Sequence, residues 1–79
     1  MTQTEFKKLK LQYSFTAESL EGAKEKISKE VYYNSKLNFT MFELNKNYEY
    51  FYFVNYKGDI NRNIILCKNG NRYQLRYKL

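Results

Sequence analysis

Residues 48–56 read Tyr48-Glu49-Tyr50-Phe51-Tyr52-Phe53-Val54-Asn55-Tyr56, and the fold turns on them. Seven of the nine are aromatic or β-branched, the types that suit a pleated, half-buried surface. Both sides of the segment carry large apolar groups, which marks an inner strand.

Outward from this strand toward the C-terminus the period stays at two. Lys57-Gly58-Asp59 is a turn, residues 61–68 hold a strand centred on Ile64-Ile65-Leu66-Cys67, and residues 72–79 hold another. Asn69-Gly70 between them is a strong hairpin signal, because a type I′ turn needs φ > 0 at both central positions. Toward the N-terminus, Asn45-Lys46-Asn47 is a turn and residues 37–44 a strand. Before that the period changes. Leu20, Ala23, Ile27 and Val31 fall on one stripe of a helix over residues 16–33, with Thr16 or Ser19 as N-cap. Gly22 weakens this helix and suits a close approach to the sheet. In residues 6–15, Leu9, Leu11, Tyr13 and Phe15 alternate with Lys8, Lys10, Gln12 and Ser14, which predicts a strand. Residues 1–79 therefore read as a single α+β domain, β-α-β-β-β-β, with one helix packed on a curved, mainly antiparallel five-stranded sheet. Periodicity leaves open which strand the first one joins.

Turn lengths fix which side chains share a face. Two-residue turns at Lys46-Asn47, Gly58-Asp59 and Asn69-Gly70 set Phe42 opposite Phe51, Phe39 opposite Val54, Phe53 opposite Ile64 and Leu66 opposite Tyr73. One face then holds Phe42, Leu44, Phe51, Phe53, Ile64, Leu66, Tyr73, Leu75, Tyr77 and Leu79, and takes the helix. The other holds Leu37, Phe39, Met41, Tyr48, Tyr50, Tyr52, Val54, Tyr56 and Ile65, interleaved with Arg72, Gln74, Arg76 and Lys78. Lys8, Lys10 and Gln12 join it from the first strand. This second face is too apolar for ordinary solvent-facing sheet. Partial closure into a barrel, a homodimer packed face to face, or a binding face for another molecule would each account for it.

The net charge is +6, from 14 Lys and Arg against 8 Asp and Glu, so polyanions are the default electrostatic partners. With one cysteine, Cys67, and no histidine, the chain can form neither an internal disulfide nor a Cys/His zinc site. Cys67 sits in an apolar run and reads as a packing residue. Residues 1–5 lack the features of a secretory signal, and no apolar run is long enough to span a bilayer, so a cytoplasmic protein without membrane contact is expected. Without His there is no ready general base near neutral pH, and no phosphate-binding glycine loop is present. The expectation is a non-enzymatic protein with no cofactor and no metal.

Aromatic residues on a sheet can stack bases while neighbouring cations meet phosphates. Tyr50, Tyr52, Tyr56, Arg72, Arg76, Lys78, Lys8 and Lys10 have that chemistry. The favoured reading is a small basic protein that engages nucleic acid or a nucleoprotein complex through this face. The alternative is an inhibitor or adaptor that occludes an acidic protein surface. In size and composition the chain resembles small phage and mobile-element anti-defence proteins, anti-CRISPR proteins among them; this is a likeness of type, with no shared motif.

Overall fold

The computed structural model describes residues 1–34 and 36–79. It contains helix α1 (Gln3–Lys7), strand β1 (Lys10–Thr16), helix α2 (Leu20–Glu30), and strands β2 (Asn38–Asn45), β3 (Tyr48–Val54), β4 (Ile60–Asn69) and β5 (Arg72–Tyr77). All strand pairs are antiparallel, in the order β1-β5-β4-β3-β2. The α+β class and the β-α-β-β-β-β run are as the periodicity predicts. The first strand joins β5 at one edge, and the sheet stays open, with β1 and β2 as its edges.

Ser19 is the N-cap of α2, and its Oγ accepts from the Gly22 N–H at 3.1 Å. Ala23 and Ile27 are fully buried against Phe39, Phe51, Leu66, Tyr73 and Leu75 on the first face, with Leu20 and Val31 packed at the margin. A Cβ on Gly22 would meet only Ser19 Oγ at 3.5 Å and Ala17 Cβ at 3.9 Å, so no close approach to the sheet requires glycine there.

The unexpected element is α1. Residues 6–9 were expected to open a strand. Instead Thr2 and Glu5 form a reciprocal capping box: the Glu5 N–H donates to Thr2 Oγ1 at 3.1 Å, and the Thr2 N–H donates to Glu5 Oε1 at 3.0 Å. These bonds hold the Glu5 carboxyl below its usual range. The turn of helix lays Phe6 on the second face, in a cluster with Tyr50, Ile65 and Cys67.

Three register shifts rearrange the predicted faces. Near the Lys46-Asn47 turn the pairing is as predicted, but a bulge between Met41 and Glu43 leaves Phe42 unpaired. Phe42 therefore packs on the second face, not the first. Phe39 now opposes Phe53 and, with Leu37, joins the α2 core instead of the second face. Leu44 and Met41 are exposed. A bulge between Leu11 and Tyr13 splits β1, so Leu9 packs on the second face while Tyr13 and Phe15 pack on the first. Lys10 opposes Tyr77 and Gln12 accepts from the Tyr32 hydroxyl, so neither lines the second face as predicted, and Lys8 is the C-cap of α1 and not a strand residue. The β3–β4 connection is a loop over residues 55–59 instead of a two-residue turn at Gly58-Asp59. It sets Phe53 opposite Asn61, not Ile64, and the offset is absorbed between Phe53 and Ile65.

The β4–β5 turn is also displaced, yet harmlessly. Asn69 pairs with Arg72, so Gly70 (φ +60°) and Asn71 are the central residues. Sliding the turn by one residue moves the register by two, and every side chain keeps its predicted face.

Candidate nucleic-acid interface

The antiparallel order puts the starts of β1, β2 and β4 and the ends of β3 and β5 at one end of the sheet. Exposed cations converge there from separate segments: Lys8 and Lys10 at the entry to β1, Lys36 before β2, Lys57 in the 55–59 loop, Arg62 in β4 and Lys78 after β5. The Lys78 N–H donates to the Asn63 carbonyl at 2.8 Å, which ties this segment to β4. Asp59 lies in the same loop, and Glu30 ends α2 nearby with its carboxylate accepting from the Tyr13 hydroxyl. At the opposite end, Lys68 is paired with Glu49 at 3.2 Å, and Glu18 and Glu21 flank the start of α2. Six exposed cations thus share the first end with Asp59 and Glu30, while Lys46 and Arg72 are the exposed cations of the strand termini at the other.

The β3–β4 hairpin carries aromatic groups into this region. Tyr52 stacks on Phe42, with ring centroids 3.8 Å apart and planes at 14°. The Arg62 guanidinium lies 5.6 Å from the Tyr52 ring centroid, and Lys57 Nζ lies 5.7 Å from that of Tyr56. Tyr56 is 63% exposed and Ile60 is also open to solvent.

The eight residues singled out from sequence do not form one surface. Tyr52, Tyr56, Lys78, Lys8 and Lys10 lie toward this basic end. Tyr50 does not: it is 0% exposed beneath α1, its hydroxyl accepts from Gln3 Nε2 at 2.8 Å, and Phe6 meets its ring edge-on at 5.8 Å. Burial pushes its phenol up. Arg76 is half-buried and works within the fold. Its guanidinium covers the Phe6 ring at 5.4 Å and donates to the carbonyls of Leu9 (2.9 Å) and Lys7 (3.3 Å), which would otherwise be unpaired at the end of α1. Arg72 is exposed but sits at the far end, between Thr16 and Asn69. The face expected to bind is therefore largely sealed by α1, which also occupies the surface on which a face-to-face homodimer would pack. Sequence reasoning missed Phe42, Lys57 and Arg62, whose placement depends on the β2 bulge and the loop register.

Among the described residues, no three Cys, Asp or Glu side chains gather as a metal set would, and no helix is long and apolar enough to cross a membrane. Cys67 is buried against Tyr50, its Sγ accepts from Gln3 Nε2 at 3.4 Å, and burial pushes its thiol up to about 11. The chain matches no protein family model, no curated protein and no solved structure.

Proposed function

We propose that this chain is a small binding protein that engages nucleic acid, alone or in a nucleoprotein complex, through the basic end of its sheet. The observation that carries the reading is that the exposed Lys8, Lys10, Lys36, Lys57, Arg62 and Lys78 share one end of the sheet with the exposed Tyr56. Cations at a strand end can neutralise phosphates and release their counterions, and an open tyrosine ring can stack a base of any sequence. Neither helix suits a major groove: α1 has one turn, and α2 carries Glu21, Glu25 and Glu30 among its lysines.

The test is titration with single- and double-stranded DNA and RNA at about 50 mM salt, repeated at rising salt. Affinity is expected to fall steeply, with a slope of about −0.9 per phosphate contact on duplex and about −0.7 on single strands. Replacing Lys57, Arg62 and Lys78 by Glu should abolish binding and leave the circular dichroism unchanged. No affinity at low salt, or undiminished binding by the folded triple variant, overturns the reading.

A second reading rests on Ile60 and Leu11, exposed apolar groups at the same end. An acidic protein surface with an apolar centre would fit them, as for an occluding inhibitor of the anti-CRISPR type. Ile60→Asp separates the two, because it should disrupt a protein contact and barely change the salt slope with nucleic acid.

A further inference from the structure

At the end of the second face away from the basic strand termini, α1 and the β4–β5 hairpin enclose a half-open cleft of about 180 Å³. Lys7 of α1 and Arg72 of β5 bring cations to it, Gln3, Asn69 and Gln74 bring carboxamides, and Cys67 contributes to its wall. No Asp or Glu lines it. Among the described residues, neither Lys7 nor Arg72 has a carboxylate within salt-bridge distance. Gln74 Oε1 accepts from Arg76 Nε at 3.2 Å, which leaves its amino group as the end free to donate.

We infer that this cleft binds a phosphate group, carried either as inorganic phosphate or as a terminal monoester. Two uncompensated cations on separate elements set a positive local potential, and the amino groups of Asn69 and Gln74 add direction to it, those of Gln3 being spent on Tyr50 and Cys67. The volume is below the roughly 300 Å³ at which drug-sized ligands begin, so the cleft fits a phosphate with a few waters and not a whole nucleotide. The phosphate can come free from solution or from the terminus of a nucleic-acid strand. The inference does not rest on the proposed interface, which lies at the other end of the sheet.

The test follows the side-chain amide resonances of Gln3, Asn69 and Gln74 in the full chain at constant ionic strength. Three probes are titrated: inorganic phosphate, a dinucleotide with a terminal phosphate, and the same dinucleotide without it. Saturable shifts with inorganic phosphate are expected. Arg72→Gln should weaken them by about tenfold or more, as loss of one charge-assisted hydrogen bond implies. Lys29→Gln, on the exposed side of α2, should leave them unchanged. Tighter binding of the phosphorylated dinucleotide than of inorganic phosphate, with none by its unphosphorylated form, supports the site with a strand terminus as ligand. Equal or tighter binding of inorganic phosphate supports it with free phosphate as ligand. No saturable shift with either phosphate probe overturns the inference, as does unchanged affinity in an Arg72→Gln variant that keeps the wild-type amide spectrum.

Discussion

On the first face of the sheet, the eleven residues of α2 press Ala23 and Ile27 onto Phe51, Leu66, Tyr73 and Leu75. On the second, the five residues of α1 bring one large buried side chain, Phe6, and are held by polar contacts. Gln3 reaches the Tyr50 hydroxyl and Cys67, and Arg76 reaches the carbonyls of Lys7 and Leu9. The first face excludes water with an apolar stripe that matches an apolar sheet. The second carries its own hydroxyl and guanidinium, and one turn of helix that supplies their partners is enough to seal it. An aromatic sheet face with polar groups is therefore not by itself a free surface.

The largest expected effect comes from breaking the first face. Leu66 is 0% exposed at the centre of the sheet beneath α2. Leu66→Ala should cost about 2–5 kcal/mol, by lost transfer energy and the cavity left behind. In a small domain that is a large share of the total stability, so the urea midpoint should collapse. A loss under about 1 kcal/mol would mean that the first face does not hold the fold.

Phe6→Ala breaks the second face and should cost less, about 1–3 kcal/mol, because α1 can lift while α2 and the sheet stay folded. Its signature is chemical. With α1 lifted, the Cys67 thiol should return toward its ordinary value of 9.0 from about 11, and its reaction with a thiol reagent at mildly alkaline pH should accelerate. The same shift gives a pH dependence with a definite sign. Between those values the unfolded chain has lost a proton that the folded chain retains. Stability from Cys67 is therefore complete below pH 9.0 and falls as pH rises toward about 11. Urea midpoints across that window should decline in the wild type and decline less in Phe6→Ala. Global unfolding of Phe6→Ala, equal to that of Leu66→Ala, would erase the distinction between the two faces.

The first face was legible because its signals are periodic and redundant. Leu20, Ala23, Ile27 and Val31 mark one helix stripe, and Leu66, Tyr73 and Leu75 keep their side of the sheet even though the Gly70-Asn71 turn is displaced by one residue. The second face was misread where one unpaired residue flips the pattern. In β2 both Phe39 and Phe42 are apolar, so alternation reads equally well with or without the bulge that sends them to opposite faces. For α1 the signal was present as Thr2-x-x-Glu5, but a helix of one turn is too short to show an apolar period. The convergence of Lys10, Arg62 and Lys78 depends on strand order, which no local pattern encodes. The bulges in β1 and β2 have a further consequence: they lie on the two edge strands, where an irregular ladder discourages pairing with another chain.

The smallest effect tests whether the two faces are independent. Gly22 is the third residue of α2, and an added Cβ would make ordinary contacts with Ser19 and Ala17. Gly22→Ala should therefore stabilise the protein by up to about 1 kcal/mol, through better helix propensity and a less flexible unfolded chain. The first-turn position argues for the lower half of that range. The urea midpoint should rise with an unchanged slope. Because α1 and α2 pack on opposite sides of the sheet, the gain should appear undiminished in the background of Phe6→Ala. A coupling energy above about 0.5 kcal/mol in that double-mutant cycle would show that strain at one face is felt at the other. A loss of stability from Gly22→Ala alone would mean that α2 does need the space a glycine leaves.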